Sequence, residues 1–331
     1  MFGYIVRRII SGLLVLFIVS VSVFVLFFAG PNDPATAYCP ETKCTPSRLS
    51  EIKIQLGLNQ PVVRQYGQYM KGIFVGRNFH EGGITIKCPA PCLGVSFKLR
   101  LNVWNYLRDA FPATLSIAVG AVVLFLSMGL VIGVLAARNR GTTLDRGLVS
   151  TSLVINAFPY YLVALLTYLL FINKWGLLPD SGYFSPFHHG PIAWAKGMLA
   201  AWLVLGIVNS TAYARFSRGS MIEALNEDFV RTARAKGLSE RRVSLKHALR
   251  AAIVPVVTIF GLDLAGYLAG TLITEYIFNI QGIGVASLAA VKSLDLPIIA
   301  ATVLFAAFLI VVLNLVVDLI YSVIDPRVRL T

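Results

Sequence analysis

Arg215-Phe-Ser-Arg-Gly-Ser-Met-Ile-Glu-Ala-Leu-Asn-Glu-Asp-Phe-Val-Arg-Thr-Ala-Arg-Ala-Lys-Gly-Leu-Ser-Glu-Arg-Arg-Val-Ser-Leu-Lys-His-Ala-Leu-Arg250 is a charged segment set between two long apolar runs. It carries nine Lys/Arg (215, 218, 231, 234, 236, 241, 242, 246, 250) against four acids (223, 227, 228, 240). Two helical stretches are predicted, about 217–236 and 239–250, broken at Gly237-Leu238-Ser239. Gly237 suits a left-handed C-cap and Ser239 the next N-cap. Phe229, Val230, Ala233, Leu238, Val243, Leu245 and Leu249 supply apolar surface, so one face of this helix–turn–helix unit must pack on something.

Outward from this segment the chain becomes lipid-like. A membrane span needs roughly 20 mainly apolar residues, and six runs qualify, at about 9–29, 112–137, 148–172, 197–214, 252–276 and 297–322. A hydrophobic content of 56% with only 14% charged residues lies outside the soluble range. The fold class predicted is an all-α integral membrane protein with six transmembrane helices, which puts both termini on one side.

The net charge of +13 does not point to nucleic acid, because the basic residues lie between spans and leave no soluble basic domain to hold a duplex. It reports topology instead. Arg7 and Arg8 precede the first span, Arg138, Arg140 and Arg146 fill a short loop, and Arg327 and Arg329 follow the last span. Segments 173–193 and 277–296 hold one Lys or Arg each, so the positive-inside bias places both termini and 215–250 in the cytoplasm.

Loop 30–111 holds ten Lys/Arg yet belongs outside, since long translocated segments escape that bias. All four cysteines, Cys39, Cys44, Cys88 and Cys92, lie in it. They fit structural disulfides on an oxidising face, with three pairings open, better than a metal or iron–sulfur site. A short amphipathic helix is predicted after Pro46, another over 61–75, and an irregular loop or hairpin over 78–94. Ile84, Ile86 and Leu93 have no evident core to enter, which makes them candidates for contact with an external partner. The first apolar run is too long for a signal-peptide core. The domains are therefore 1–30, an N-terminal transmembrane helix; 31–111, an external loop domain; and 112–331, a five-helix core with the cytoplasmic loop.

Inside the membrane, Asp263 lies between Leu262 and Leu264, and a carboxylate there should face a bundle interior or a wet pathway. Tyr267 lies one turn later on the same face. Gly129–Gly133 and Gly266–Gly270 have the spacing that lets helices approach closely. His188-His189 has poor ligand spacing and reads as a solvated pair. No nucleophile–base set and no metal cluster is assembled. The phosphate-binding pattern G-x-x-x-x-G-K-[ST] is also absent, so this chain cannot bind ATP in the P-loop manner.

Phe229-Val-Arg-Thr-Ala-Arg-Ala-Lys-Gly-Leu-Ser-Glu-Arg-Arg-Val243, with His247-Ala-Leu-Arg250 and Pro255, resembles the coupling loop of ABC importer permeases in its oligopeptide/dipeptide/nickel version. Arg231, Thr232 and Ala233 stand at the family's Glu-Ala-Ala positions; Arg231 and Arg250 depart from the general pattern as the peptide branch does. The resemblance runs along nearly the whole chain, from Arg7-Arg8-Ile-Ile and Ala29-Gly-Pro-Asn-Asp-Pro34 through Leu56-Gly-Leu-Asn-Gln-Pro61 and Phe111-Pro-Ala-Thr-Leu115 to Glu275-Tyr-Ile-Phe278, Gly282-Ile-Gly284 and Asp325-Pro-Arg-Val-Arg329. Gln281 replaces a usual Pro, and the cysteine-bearing pieces near 39–44 and 80–94 look like additions.

The resemblance implies the type I ABC importer permease fold in a bacterial plasma membrane. Asp228, Phe229, Arg231, Thr232, Ala233, Lys236, Gly237 and Leu238 would couple to ATPase subunits, and Asp263, Tyr267 and Glu275 would serve the pathway. The implied partners are a second homologous permease, two ATP-binding subunits that hold the ATP and magnesium, an external solute-binding protein, peptide substrate and membrane lipid. This chain would be no enzyme and hold no cofactor or metal. A permease for nickel complexes or other small solutes is the alternative; an ion-coupled carrier or channel acting alone ranks lower, because intramembrane charges are few.

Overall fold

The computed structural model describes residues 2–28, 35, 45–56, 58–81, 84–96, 98–269 and 271–324. In chain order the helices are α1 (Phe2–Phe28), α2 (Pro46–Leu56), α3 (Val62–Val75), α4 (Val103–Arg138), α5 (Thr143–Ala157), α6 (Tyr160–Leu166), α7 (Pro191–Asn226), α8 (Asp228–Ala235), α9 (Glu240–Arg242), α10 (Leu249–Ala269), α11 (Leu272–Ile277), α12 (Ile283–Ser293) and α13 (Leu296–Ile324). Wider π-helical turns extend α6 over Thr167–Lys174 and link α9 to α10 over Val243–Ala248. Two small hairpins, β1 (Arg77–Glu81) with β2 (Ile84–Cys88) and β3 (Val95–Ser96) with β4 (Leu101–Asn102), are the strands among the described residues. The architecture is all-α.

Among the described residues five helices are long and apolar enough to cross a membrane: Val6–Phe27, Val103–Arg138, Pro191–Asn226, Glu240–Gly261 and Leu296–Leu319. The third run, read as continuous over 148–172, is instead α5 and α6 bent by 86°. Its cause is Pro159, whose ring cannot donate to the helix ladder and which stands at φ −58°, ψ 130°. The fifth run also breaks, between Ala269 and Leu272, so that α11 is a separate short helix.

The chain divides into two compact units. The first holds residues 113–281 and the C-terminal part from 313. Its core joins Ala113, Ile117 and Ala121 of α4 to Met198, Ala201, Val204 and Leu205 of α7, with Ala164, Phe278 and Ile280. Small residues make this approach close: a Cβ at Gly129 would lie 2.5 Å from the Tyr213 Cβ, and one at Gly133 2.7 Å from the Ala214 carbonyl oxygen. The small-xxx-small pair of α4 is thus a packing device against α7. Asp145, 3% exposed, anchors the start of α5, accepting from Gly141 N–H at 2.9 Å and from both Nε and Nη2 of Arg218 at 2.7 Å.

The second unit holds residues 2–112 and 282–312. Within it α3 lies on α1, where Ser20 Oγ and Tyr66 OH are 2.7 Å apart and the Phe24 and Tyr66 rings meet edge-on. Leu93, Val103 and Leu107 pack with Ala290, Ile298 and Ile299, and Trp104 and Phe111 meet Phe305. Ser96 Oγ donates to the Asp295 carboxylate, and Lys98 Nζ to the Ser293 carbonyl. The 78–94 piece is the hairpin alternative: β1 and β2 pair antiparallel, Arg77 opposite Cys88, over a cluster of Phe79, Cys88, Cys92 and Val95.

Candidate functional site

Two places in the first unit carry chemistry-bearing residues. The helix predicted over 217–236 is in fact broken at Glu227, which leaves the helical region at φ −69°, ψ 150° and caps a separate α8. Glu227 O accepts from the N–H groups of Val230 and Arg231 at 3.0 and 3.2 Å, so α8 starts afresh at an angle its own residues set. Val230 (0% exposed) and Ala233 turn inward onto Val134, Met221, Val243 and Ala248, and half-buried Leu238 closes that cluster. Their burial holds the element in place, while Asp228, Phe229, Arg231, Thr232 and Lys236 remain on the exposed face.

Phe229, 43% exposed, presents an aromatic ring with no core of its own. Arg231 Nη1 lies 3.5 Å from Asp228 Oδ1, a solvated pair worth little to stability. Gly237 stands at φ +75°, in the left-handed region, and its N–H closes on Arg234 O at 2.9 Å. Arg234 then reaches across the turn to Glu240, Nε to Oε1 at 2.7 Å, tying α8 to α9. The result is a short, braced helix that displays one apolar ring and a ring of polar groups.

The second place is an open cavity of about 620 Å³ lined by residues including Asp263, Gly266, Tyr267, Asn209, Tyr160 and Thr271. α10 brings Asp263, Gly266 and Tyr267 onto one face by their spacing of three and four. Asp263 Oδ2 accepts from Tyr213 OH at 2.8 Å. Tyr267 packs on the Phe125 ring, centroids 5.4 Å apart, and Tyr160 OH lies 3.0 Å from Thr274 Oγ1.

Other expected residues fall elsewhere. Glu275 is fully buried and accepts from Thr114 Oγ1 at 2.7 Å; it does not line the cavity and braces α11 against α4. Leu93 and Ile86 correct the expectation of exposed apolar contacts: Leu93 enters the core of Val103 and Ile298, and Ile86 packs on the hairpin cluster. The β1–β2 pairing turns Ile86 inward, and Leu93, between β2 and β3, enters the helix core, neither of which a Gly- and Pro-rich composition reveals. The side chain of Ile84 lies outside the described residues, as do Cys39 and Cys44. Cys88 and Cys92 are disulfide-bonded. Among the described residues no group of three or more His, Cys, Asp or Glu is placed to hold a metal.

Sequence reasoning missed Thr271 and Asn209 at the cavity, Tyr213 behind Asp263, and the pairing of Asp145 with Arg218. A hydroxyl, an amide or one more acid among basic residues carries no periodic signal; each pair meets only after folding, Tyr213 and Asp263 across 50 positions.

Residues 129–330 match the family described as binding-protein-dependent transport system inner membrane component, and residues 1–118 match the N-terminal component of such transport systems. Among curated relatives, a putative peptide transport system permease protein of Brucella abortus is 33% identical over 329 residues, covering 99% of both chains. The dipeptide transport system permease of Escherichia coli K12 and the di/tripeptide transport system permease of Pseudomonas aeruginosa are each 33% identical, over 353 and 350 residues, again covering 99% of both chains.

Proposed function

This chain belongs to the family of binding-protein-dependent transport system inner membrane components, and from that premise we propose that it forms half of a pathway importing di- and oligopeptides. It is a multi-pass inner-membrane permease. The end-to-end likeness to three permeases named for peptide, dipeptide and di/tripeptide transport supports the cargo class.

The single observation that carries the mechanism is α8, a short helix fastened by Val230 and Ala233 with Phe229 and Arg231 left outward. A hydrophobic ring displayed among charges on a braced element suits a groove in a partner. In the proposed complex that partner is one of two ATP-binding subunits, which hold ATP and magnesium, and a second homologous permease completes the pathway. An external solute-binding protein delivers the peptide. Closure of the ATPase pair draws the two coupling helices together and shifts the bundle toward its outward-open state; hydrolysis releases it. The basic loop 215–250 and both termini lie in the cytoplasm in this reading.

The test is uptake of a labelled dipeptide into proteoliposomes holding the two permeases and two ATPases, with binding protein outside. Accumulation that needs ATP and all the subunits is the expected result. Uptake by this chain alone, or none by the whole complex, overturns the reading.

A further inference from the structure

We infer that the cavity of the first unit is a subsite for the protonated terminal amine of the peptide cargo, with Asp263 as counter-ion, Thr271 as partner for the adjoining peptide group, and Gly266 limiting the size of the first side chain. The inference rests on the peptide reading and adds where in this chain the cargo is recognised. A cavity of about 620 Å³ is the size of a small-ligand pocket. Among the described residues its lining carries one formal charge, Asp263, with neutral polar, aromatic and aliphatic side chains around it. A lone carboxylate beside aromatic walls is complementary to an ammonium group and hostile to an anion.

The carboxylate is also oriented. Tyr213, 2% exposed, donates its hydroxyl to Oδ2, while Oδ1 makes no hydrogen bond among the described residues. One oxygen is thus held from behind and the other is available. Thr271 adds an independent sign of a missing partner: it lines the same cavity, is 9% exposed, and its Oγ1 has no hydrogen-bond partner among the described residues. Buried polar atoms in folded proteins are nearly always satisfied, so an unpaired one in the wall of a cavity calls for a partner from outside the fold. A peptide supplies what both residues lack, an ammonium donor and, one bond further, a carbonyl or N–H.

Gly266 lies three residues from Asp263, and a Cβ built there would meet nothing within 4 Å. The first carbon of a side chain is therefore accommodated at this position, and the rest of a larger one takes up space in the cavity that Gly266 lines.

The experiment uses the reconstituted complex, with radiolabelled dialanine and ditryptophan as probes and the same binding protein throughout. Asp263→Asn, which keeps the shape and removes the charge, should lower dialanine uptake about tenfold or more while binding-protein-stimulated ATP hydrolysis persists. Asp263→Glu should restore uptake to within about threefold of the native chain, and Tyr213→Phe, which keeps the carboxylate, should do no worse. Gly266→Leu should spare dialanine and lower ditryptophan uptake by about tenfold. The inference is overturned if Asn at 263 transports normally, if Glu is as impaired as Asn, or if Leu at 266 affects both peptides alike. A native complex that imports neither peptide overturns the peptide reading itself and takes this inference with it.

Discussion

Gly133 shows how closely single atoms decide the packing of this bundle. A side chain there would place Cβ 2.5 Å from Ser217 Cβ and within 2.9 Å of the Arg218 backbone nitrogen, and helix backbone cannot step aside as a flexible side chain can. Gly133→Val should therefore cost about 1–3 kcal/mol through overpacking, read as a lower thermal midpoint of the detergent-solubilised chain. Gly219→Ala is the contrast, since a Cβ there meets nothing within 4 Å. It should leave the midpoint unchanged or raise it. An equal loss in both variants would mean that the α4–α7 contact is not what Gly133 serves. At this scale the sequence reveals unequal amounts. Asp263 announces itself as a charge in an apolar run, and a spacing of one helical turn is enough to put Tyr267 on its face. That Gly129–Gly133 packs while Gly266 opens onto a cavity is not legible, because the same motif serves both and only the neighbouring helix decides.

At the scale of the element, α8 depends on two breaks, of which only one is legible in the residues. Gly237 signals the second by its tolerance of positive φ; Glu227 has no such signature, and its break follows from the burial of Val230 and Ala233, which tertiary packing rather than propensity dictates. The 86° bend between α5 and α6 is marked by Pro159, yet an apolar run with one proline also suits a gently kinked span, so composition does not give the angle. Replacing Gly237 by Val forces a β-branched residue into the left-handed region at a cost of about 1–2 kcal/mol and re-aims α9 against α8. ATP hydrolysis should then proceed without peptide uptake in the reconstituted complex. Phe229→Ala separates docking from folding. The ring is 43% exposed, so the thermal midpoint should hold while affinity for the ATPase subunit falls about tenfold or more, measured by surface-immobilised binding. Normal uptake in Gly237→Val, or undiminished ATPase binding in Phe229→Ala, would remove α8 from the coupling path.

For the whole molecule, the decisive quantity is which side of the membrane each polar segment occupies, and the proposed orientation is supported by loop charge and by the disulfide and is consistent with the number of spans. The 215–250 loop carries nine basic residues against four acids, while 173–193 and 277–296 carry one basic residue each. Short loops obey the positive-inside bias, which supports the proposed placement of the first in the cytoplasm and the other two outside. The 31–111 segment has too many residues for its charges to decide the matter, but it contains the Cys88–Cys92 disulfide, which persists on an oxidising face and is reduced in a cytosol. Six crossings, with the bent α5–α6 pair counted as one, then return the chain to the side on which it began. Two introduced cysteines test this directly. Val63, 83% exposed on α3, replaced by Cys should react in intact spheroplasts with a maleimide that cannot cross the membrane. Arg241, exposed on α9, replaced by Cys should react with it only after the membrane is opened. Labelling above that of the parent chain is the readout. Position 241 labelled from outside, or position 63 only from inside, would invert the orientation; the coupling helix would then face away from cytoplasmic ATP, and the proposed mechanism could not operate.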